Sequence, residues 1–204
     1  MTEEEIKKLE NELDSIFSKK RQFSVLSIYL SEVGCEYIAS GSARAVYKLN
    51  DDKVLKIAKN KKGVAQNEVE ADWALRNYGI AADWYDISDD SIWIESEFCR
   101  KAKKSDFKNL TGLDFSWFQD AIRYNYMTLH PNGYYRPPKP EGYDNEIEKE
   151  ESFLVQMESY MADFDVPYGD LTRISSYGIN HNNEIALVDY GLNRSVEEEF
   201  YKRK

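Results

Sequence analysis

Residues 38–59 read IASGSARAVYKLNDDKVLKIAK, and this stretch decides the fold of the chain. Its two short apolar runs, 45–49 and 53–58, are joined by the turn-forming sequence Asn-Asp-Asp at 50–52, which predicts a β-hairpin. A further run at 35–39 leads into this hairpin through a bend. The stretch therefore predicts three antiparallel strands side by side.

The predicted sheet continues after one helical segment. Residues 65–78 have helical periodicity, with Val69 and Trp73 on the side that we expect to be apolar. Two more strand-like runs follow at 82–86 and 91–98, joined by a second turn sequence rich in Ser and Asp. The order of elements is therefore strands, one helix, and strands.

Helical patterns occupy much of the remaining chain. Residues 3–20 form an amphipathic pattern whose apolar stripe needs a surface to cover, and 23–31 continue as a helix or turn. Downstream, 114–129 and 145–162 are helical, and the loop 131–144 between them is rich in Pro and Gly. Helices and antiparallel strands together predict an α+β fold.

Composition and charge exclude several classes of function. A net charge of -10 would repel a phosphate backbone, so we do not expect nucleic-acid binding. Cys35 and Cys99 lack CxxC spacing, and His130 and His181 have no ligand-like neighbours, so neither disulfide nor zinc is expected. The chain has no apolar run of about 18 residues and begins with an acidic helix. We therefore expect a cytoplasmic protein that does not contact a membrane.

Lys56 is the first residue that points to chemistry. Its strand neighbours are apolar on both faces, which draws the ammonium toward the interior, where it needs an anion. Glu70, fourteen positions on in the predicted helix, is one candidate partner, and Glu68 is the other. The alternative is that Lys56 reaches solvent from an edge strand and that both glutamates are solvated.

Two aspartates near the C-terminus form the second candidate group. Asp170 follows a glycine turn in VPYGDL, and Asp189 ends an apolar strand in ALVDYGL. Carboxylates presented in this way suit Mg²⁺ and a hydroxyl nucleophile. Each could instead be an ordinary turn or cap residue, but a pair separated by a hairpin-length segment is more specific than either alone.

Taken in order over roughly residues 36–193, these segments resemble the superfamily of protein kinases and aminoglycoside phosphotransferases. IASGSARAVYK is similar to the glycine-rich loop of kinases, which implies nucleotide contacts at Gly41 and Ser42. VLKIA resembles the strand whose lysine, here Lys56, binds phosphate, and Glu70 resembles the helix glutamate that holds this lysine. Glu97 in WIESEFC falls where the adenine-contacting hinge begins.

The resemblance extends to the C-terminal motifs. YGDL is similar to the catalytic loop, which implies that Asp170 is the catalytic base. Asp189-Tyr190-Gly191 resembles the metal-binding motif, which implies that Asp189 binds Mg²⁺ and contributes to the ATP site.

As a whole, the resemblance implies a reduced two-lobed domain of the kind found in small bacterial or phage kinase-like proteins. We expect an N-terminal helical extension at 1–34, a β-rich N-lobe at 35–98 and a shortened helical C-lobe at 99–204. The setting would be the cytoplasm of a bacterial or host cell.

The sequence departs from the family pattern in the loop and at the metal site. Ala39 and Arg44 replace two of the three loop glycines, which restricts the approach of the backbone to phosphates. Ser175 stands where a second magnesium ligand, asparagine, is expected, and Asn180 is a candidate substitute. The chain ends soon after Gly191, without the segments that bind peptide substrates, so we do not expect ordinary protein phosphorylation.

Three hypotheses follow. The first is an ATP- and Mg²⁺-dependent phosphotransferase that uses Lys56, Glu70, Asp170 and Asp189. The second is a pseudokinase, a regulatory module that engages a protein partner through the N-terminal helix or the 131–144 loop. The third is an α+β interaction domain unrelated to kinases, which would have no nucleotide site.

Overall fold

The structure is a computed structural model that describes residues 1–19, 23–72, 74, 78–131 and 137–201. The chain divides into two compact units. Unit 1 comprises Met1–Asp72 and Asp83–Phe98, and unit 2 comprises Trp73–Ala82 and Cys99–Lys204.

The described part of unit 1 contains a five-stranded antiparallel sheet and three helices. The strands, in the spatial order β1-β2-β3-β5-β4, are β1 (Glu36–Ser40), β2 (Arg44–Lys48), β3 (Lys53–Ala58), β4 (Trp84–Ile87) and β5 (Trp93–Glu97). The helices are α1 (Glu3–Lys19), α2 (Phe23–Glu32) and α3 (Lys61–Glu70). The predicted antiparallel sheet, interrupted by one helix, is confirmed.

One face of this sheet is covered by α1 and α2. Ile6, Leu9 and Leu13 of α1 are buried in one apolar cluster with Leu55 and Ile57 of β3. The amphipathic stripe of the N-terminal helix therefore covers the protein's own sheet. A protein partner that used this helix would meet its polar side.

Helix α3 packs against β3 and β5 and differs from its prediction at both ends. It begins at Lys61 because the side chain of Asn60 caps it, accepting hydrogen bonds from the backbone N–H groups of Lys62 (3.1 Å) and Gly63 (3.3 Å). It ends at Glu70, so the predicted range 65–78 is wrong. Of the predicted continuation, residues 73 and 75–77 lie outside the described ranges.

The buried side of α3 is polar, in contrast to the expectation of an apolar side at Val69 and Trp73. Gln66, Asn67 and Glu70 are buried, whereas Val69 is only half-buried, and Trp73 lies outside the described residues. Polar side chains can occupy a buried helix face only where partners satisfy them, and periodicity of apolar residues does not reveal such a face.

Unit 2 combines a small sheet with helices. Within its described residues the sheet has the order β6-β7-β8, with β6 (Arg100–Lys101), β7 (Tyr177–Ile179) and β8 (Ile185–Leu187). The helices are α4 (Lys104–Thr111), α5 (Phe115–Leu129), α6 (Tyr143–Ile147), α7 (Phe153–Asp163), α8 (Tyr168–Leu171) and α9 (Arg194–Phe200). Phe107, Phe118 and Tyr177 meet at the centre of its core.

Of the two helices predicted for unit 2, one is confirmed and one is wrong. The helix at 114–129 is present as α5, and the α+β class holds for the chain. The single helix predicted over 145–162 is two helices, because Ser152 caps a new one by accepting a hydrogen bond from Leu154 N (3.2 Å). Of the 131–144 loop, residues 132–136 lie outside the described ranges. None of the described helices is long and apolar enough to cross a membrane.

Candidate functional site

Lys56 lies in the interior of unit 1. Its strand, β3, is flanked by β2 and β5, and the residue is only 5% exposed, so the alternative of an edge-strand lysine that reaches solvent is wrong. Its Nζ lies 2.5 Å from Oε2 of Glu70, which is fully buried. Glu68, the competing candidate, is exposed. The predicted Lys56–Glu70 ion pair is therefore present.

A second cation shares Glu70. Arg44 is buried, and its Nη2 lies 2.6 Å from Glu70 Oε1. The sequence reasoning treated Arg44 only as a lost glycine. The signal was nevertheless available, because pairing 44–48 with 54–58 across the turn places Arg44 and Lys56 on the same face of adjacent strands.

The two cations keep Glu70 charged. Burial alone would raise the pKa of the Glu70 carboxyl, but Arg44 and Lys56 outweigh this effect and lower the pKa to about 2. Glu70 is therefore an ionised carboxylate at neutral pH, and the three side chains form a charged cluster inside unit 1.

The loop between β1 and β2 is attached to the start of α3. Lys62 Nζ donates to Ser42 Oγ (2.7 Å), and Lys59 Nζ donates to the carbonyl oxygen of Gly41 (2.8 Å). The backbone of the loop also lies close to α3 at Gly63, because a Cβ atom at this position would be 2.3 Å from the carbonyl oxygen of Ala43. The position of the loop is therefore set by Lys59 and by the first turn of α3.

Gly41 itself is not required by the bend. Its φ lies outside the left-handed region, and a Cβ built on it would meet no atom within 4 Å. The open space above Gly41 would admit a ligand close to the backbone.

Glu97 is buried at the end of β5, one residue before unit 1 ends in the sequence. Its backbone N–H donates to the carbonyl oxygen of Asp83 (2.7 Å), and the N–H of Phe98 donates to that of Asp52 (2.7 Å). Both backbone N–H groups are therefore hydrogen-bonded to acceptors within unit 1. The role of Glu97 in adenine contact stays a prediction.

In unit 2, Asp170 lies within the short helix α8, so the predicted glycine turn before it is wrong. Arg173 Nη1 lies 3.0 Å from Asp170 Oδ1. Burial raises the pKa of the Asp170 carboxyl, the charge of Asp189 raises it further, and Arg173 opposes both.

Ser176 connects the two aspartate segments. Its Oγ donates to the carbonyl oxygen of Asp170 (2.8 Å), and its own carbonyl oxygen accepts from the backbone N–H of Val188 (2.9 Å), the residue before Asp189. This buried serine therefore holds both segments at one end of the β7–β8 hairpin. Sequence reasoning missed Ser176 because its role depends on strand pairing that only the folded unit reveals.

The two candidates for a second metal ligand differ in accessibility. Ser175 is exposed in a 3₁₀ turn at Ile174–Ser176. Asn180 Oδ1 accepts from Glu184 N (2.8 Å), and its Nδ2 donates to Glu184 Oε2 (3.1 Å), so this amide closes the hairpin turn. Its expected use as a substitute ligand would break these bonds.

Two carboxylates at one hairpin end fit the needs of Mg²⁺ carried by a nucleotide. This ion typically takes one or two carboxylates together with phosphate oxygens and waters, and it rarely has an all-protein cage. Within the described ranges no group of three or more His, Cys, Asp or Glu side chains is placed to hold a metal ion. The donor set of Asp170 and Asp189 fits such shared coordination.

Comparison with solved structures finds similarity to small-molecule kinases. A choline/ethanolamine kinase family protein from Mesorhizobium loti is 15% identical over 77% of this chain and 57% of its own length, with a TM-score of 0.39. A choline kinase from Streptococcus pneumoniae is 14% identical over 82% of this chain and 68% of its own, with a TM-score of 0.39. An ADP-bound aminoglycoside phosphotransferase is 13% identical over 83% of this chain and 70% of its own length, with a TM-score of 0.38.

The chain spans little more than half the length of the first of these proteins. No protein-family model matches the sequence, and no curated protein does. Likenesses at these identities and TM-scores carry no argument about the site, which rests on the geometry of the chain's own residues.

Proposed function

We propose that the protein binds ATP with Mg²⁺ and transfers its terminal phosphoryl group to a hydroxyl acceptor. The observation that carries this proposal is the buried Lys56–Glu70 ion pair on an internal strand. A lysine held by a glutamate in this way presents a fixed cation to phosphate oxygens. The order of motifs in the sequence supports the same assignment.

Lys56 would bind the α- and β-phosphates, and Glu70 would orient it. Gly41 and Ser42 would lie along the phosphates, and Glu97 would mark the segment that contacts the base. These roles follow the sequence resemblance, and the open space above Gly41 is compatible with close approach of a ligand.

Asp170 would accept the proton of the acceptor hydroxyl. The acceptor oxygen then forms a bond to the terminal phosphorus, the bond from that phosphorus to the bridging oxygen breaks, and ADP leaves with this oxygen's charge. A carboxylate whose pKa is raised by burial and by a neighbouring aspartate is a better proton acceptor than an ordinary exposed one.

Asp189 would hold the metal ion, with Ser175 as a weaker candidate ligand. When bound, Mg²⁺ supplies positive charge to the phosphate oxygens. Asp189 is exposed, and Ser176 fixes the preceding residue through its carbonyl oxygen. The chain's own contribution is therefore to hold a carboxylate at a defined hairpin end.

A second candidate function is nucleotide binding without turnover, as in a pseudokinase switch. The contact of Arg173 with Asp170 favours it, because a guanidinium 3.0 Å from the proposed base stabilises the carboxylate and lowers its basicity. The replacement of Asn by Ser175 points in the same direction.

Thermal unfolding with and without ATP and Mg²⁺ tests the binding step. Because a ligand that binds only the folded state stabilises it, ATP with Mg²⁺ should raise the Tm of the wild type. The same addition should change the Tm of Lys56→Met and of Asp189→Asn little. Asp90→Asn, an exposed turn residue, is the matched control and should behave as the wild type. A wild type whose Tm does not respond would contradict the proposal.

Release of ADP with a panel of small hydroxyl acceptors separates the two candidate functions. Nucleotide binding together with turnover that Asp170→Asn abolishes supports the phosphotransferase. Binding with no turnover on any acceptor, including water, supports the switch.

A further inference from the structure

The segment that leads into Asp170 is bonded to the segment that follows Asp189. The backbone N–H of Arg194 donates to the carbonyl oxygen of Asp165 (2.9 Å), and Arg194 Nε donates to Asp165 Oδ1 (3.0 Å). Arg194 is the first residue of α9, and Asp165 lies between α7 and α8. One arginine therefore joins two segments that are 29 residues apart in the sequence.

The guanidinium of Arg194 has further partners on and next to α5. Its Nη2 donates to the hydroxyl of Tyr126 (3.2 Å) and lies 3.3 Å from His130 Nδ1. The ring of Tyr126 packs against that of Tyr168, with 5.0 Å between the ring centroids, and Tyr168 stands two positions before Asp170. Because a guanidinium is a rigid planar fork, it serves several acceptors with little further loss of entropy. Arg194 therefore also supports the start of α8 through Tyr126.

The backbone on both sides of Asp189 is fixed by other bonds. The N–H of Val188 donates to the carbonyl oxygen of Ser176 (2.9 Å), and the carbonyl oxygen of Tyr190 accepts from the hydroxyl of Tyr160 (3.4 Å). Tyr190 is also buried. The segment that carries Asp189 is therefore anchored on both sides, and α9 continues from this fixed segment.

The segment from Asp165 to Asp170 is consequently tied at both ends. Ser176 Oγ holds its last residue by donating to the carbonyl oxygen of Asp170 (2.8 Å), and Arg194 holds its first residue. Each tie holds a different end, so the two together fix the orientation of the segment. Catalysis by a general base depends on this orientation, since a misplacement of about 1 Å can slow a reaction by about a hundredfold.

We propose that Arg194 is a positioning residue that orients Asp170 for proton transfer by holding the segment that leads into it. This inference rests on the proposed function, since it requires that Asp170 is the base. The motifs that resemble kinases end before Arg194, so sequence reasoning gave it no role. It acts through Asp165 and Tyr126 and not on the substrate itself.

Steady-state release of ADP from ATP and Mg²⁺, with the most active acceptor of the panel, tests this role. Arg194→Met should lower kcat about tenfold, because Asp170 is no longer held in its orientation. The KM for ATP should stay within about twofold of the wild type, since Asp189 keeps its own anchors. Arg123→Met, which removes an arginine of α5 that contacts Asp120, is the matched control and should have the kcat and KM of the wild type. A raised KM with an unchanged kcat would overturn the inference.

A second substitution separates positioning from general support of the fold. Ser176→Ala removes the tie at the other end of the same segment, and residues that act as a unit have non-additive effects on the rate. The double variant should therefore be no more than about twofold slower than the slower single variant. If its kcat instead falls by the product of the two single losses, the residues act independently and the inference is overturned.

All variants are compared at a temperature at which circular dichroism shows each of them to be folded. If Arg194→Met does not fold, Arg194→Gln takes its place with the same expected loss of kcat and the same non-additivity.

The outcomes also distinguish this inference from the proposed function. A wild type that turns ATP over, together with an Arg194 variant of equal kcat, overturns the inference alone. A wild type that releases no ADP with any acceptor, water included, overturns the proposed phosphoryl transfer and the inference with it.

Discussion

The charged groups of the two units differ in how they are held. In unit 1, Glu70 is fully buried and is contacted by two buried cations. In unit 2, Asp170 keeps a side chain that is 24% exposed, and Asp189 is exposed, so both carboxylates stay accessible to solvent. Glu70 and its two cations are therefore part of the interior of unit 1, whereas Asp170 and Asp189 lie at the surface of unit 2.

This difference predicts different consequences of substitution. A buried ion pair that loses one partner leaves charge in a medium of low polarity, which costs stability. An accessible carboxylate near a like charge costs little stability to remove, so its loss should appear mainly in activity. The two groups can therefore be separated by measuring unfolding and turnover on the same variants.

The largest expected effect is that of Glu70→Ala. It removes the carboxylate that both Arg44 and Lys56 contact, and we expect a loss of about 3–5 kcal/mol in the free energy of unfolding, measured by urea denaturation. Glu68→Ala, two positions away and exposed, should change it by less than about 0.5 kcal/mol. Equal effects of the two substitutions would contradict a stabilising role for the buried ion pairs of Glu70.

Asp170→Asn should act on turnover and leave the fold intact. Loss of a general base typically slows the chemical step by about a hundredfold or more. Because the pKa of Asp170 is raised in the folded state, its ionised form weakens the fold as the pH rises through that pKa, so the neutral variant should be at least as stable as the wild type at neutral pH. Steady-state kinetics and urea denaturation of the same sample check both points; a clear loss of stability would contradict the comparison.

Ser176→Ala should have an intermediate effect on stability. It removes the hydrogen bond to the carbonyl oxygen of Asp170, and we expect a loss of about 1–2 kcal/mol. Turnover should fall as well, because the segment that carries Asp170 is no longer held to the hairpin. The neighbouring Ser175→Ala, at an exposed position, is the control for stability alone, and unfolding of both variants is compared by denaturation.

The smallest effect concerns a second buried carboxyl in unit 1 and depends on pH. Glu10 is buried beside Glu95, and burial with this like-charged neighbour raises the pKa of Glu10 from 4.5 to about 7, although Lys7 opposes the shift. Lys53 contacts Glu95 from β3 at 2.7 Å. The stabilising contribution of the protonated Glu10 carboxyl to the free energy of unfolding is fully present below pH 4.5. This contribution is lost as the pH rises through about 7.

Glu10→Gln removes this titration. The variant should match the wild type at pH 5 and exceed it by on the order of 1 kcal/mol at pH 8, as measured by denaturation at both pH values. Glu4→Gln, an exposed position on the same helix, should show no such difference. A wild type whose stability is the same at pH 5 and pH 8 would contradict the shifted pKa.

Part of the fold and part of the site could be predicted from local patterns. Alternation and turn residues located the five strands of unit 1 to within about two residues, and the spacing of Lys56 and Glu70 predicted their ion pair. Strand-like and helix-like periodicity depends only on residues that are close in the sequence. It therefore predicted the elements whose type is set by their own local sequence. The short strands β6 and β7 were missed because two or three residues carry no period.

What the sequence by itself determined is the set of charged residues and the elements that carry them: a lysine in an apolar strand, a glutamate in the following helix, and two aspartates near a hairpin. Only the tertiary structure decided which of these groups meet. The pairing of β2 with β3 placed Arg44 beside Lys56, the polar side of α3 turned Glu70 inward, and Ser176 tied Asp170 to the hairpin. The physical reason is that burial and strand register depend on contacts between distant residues, which a local pattern does not contain.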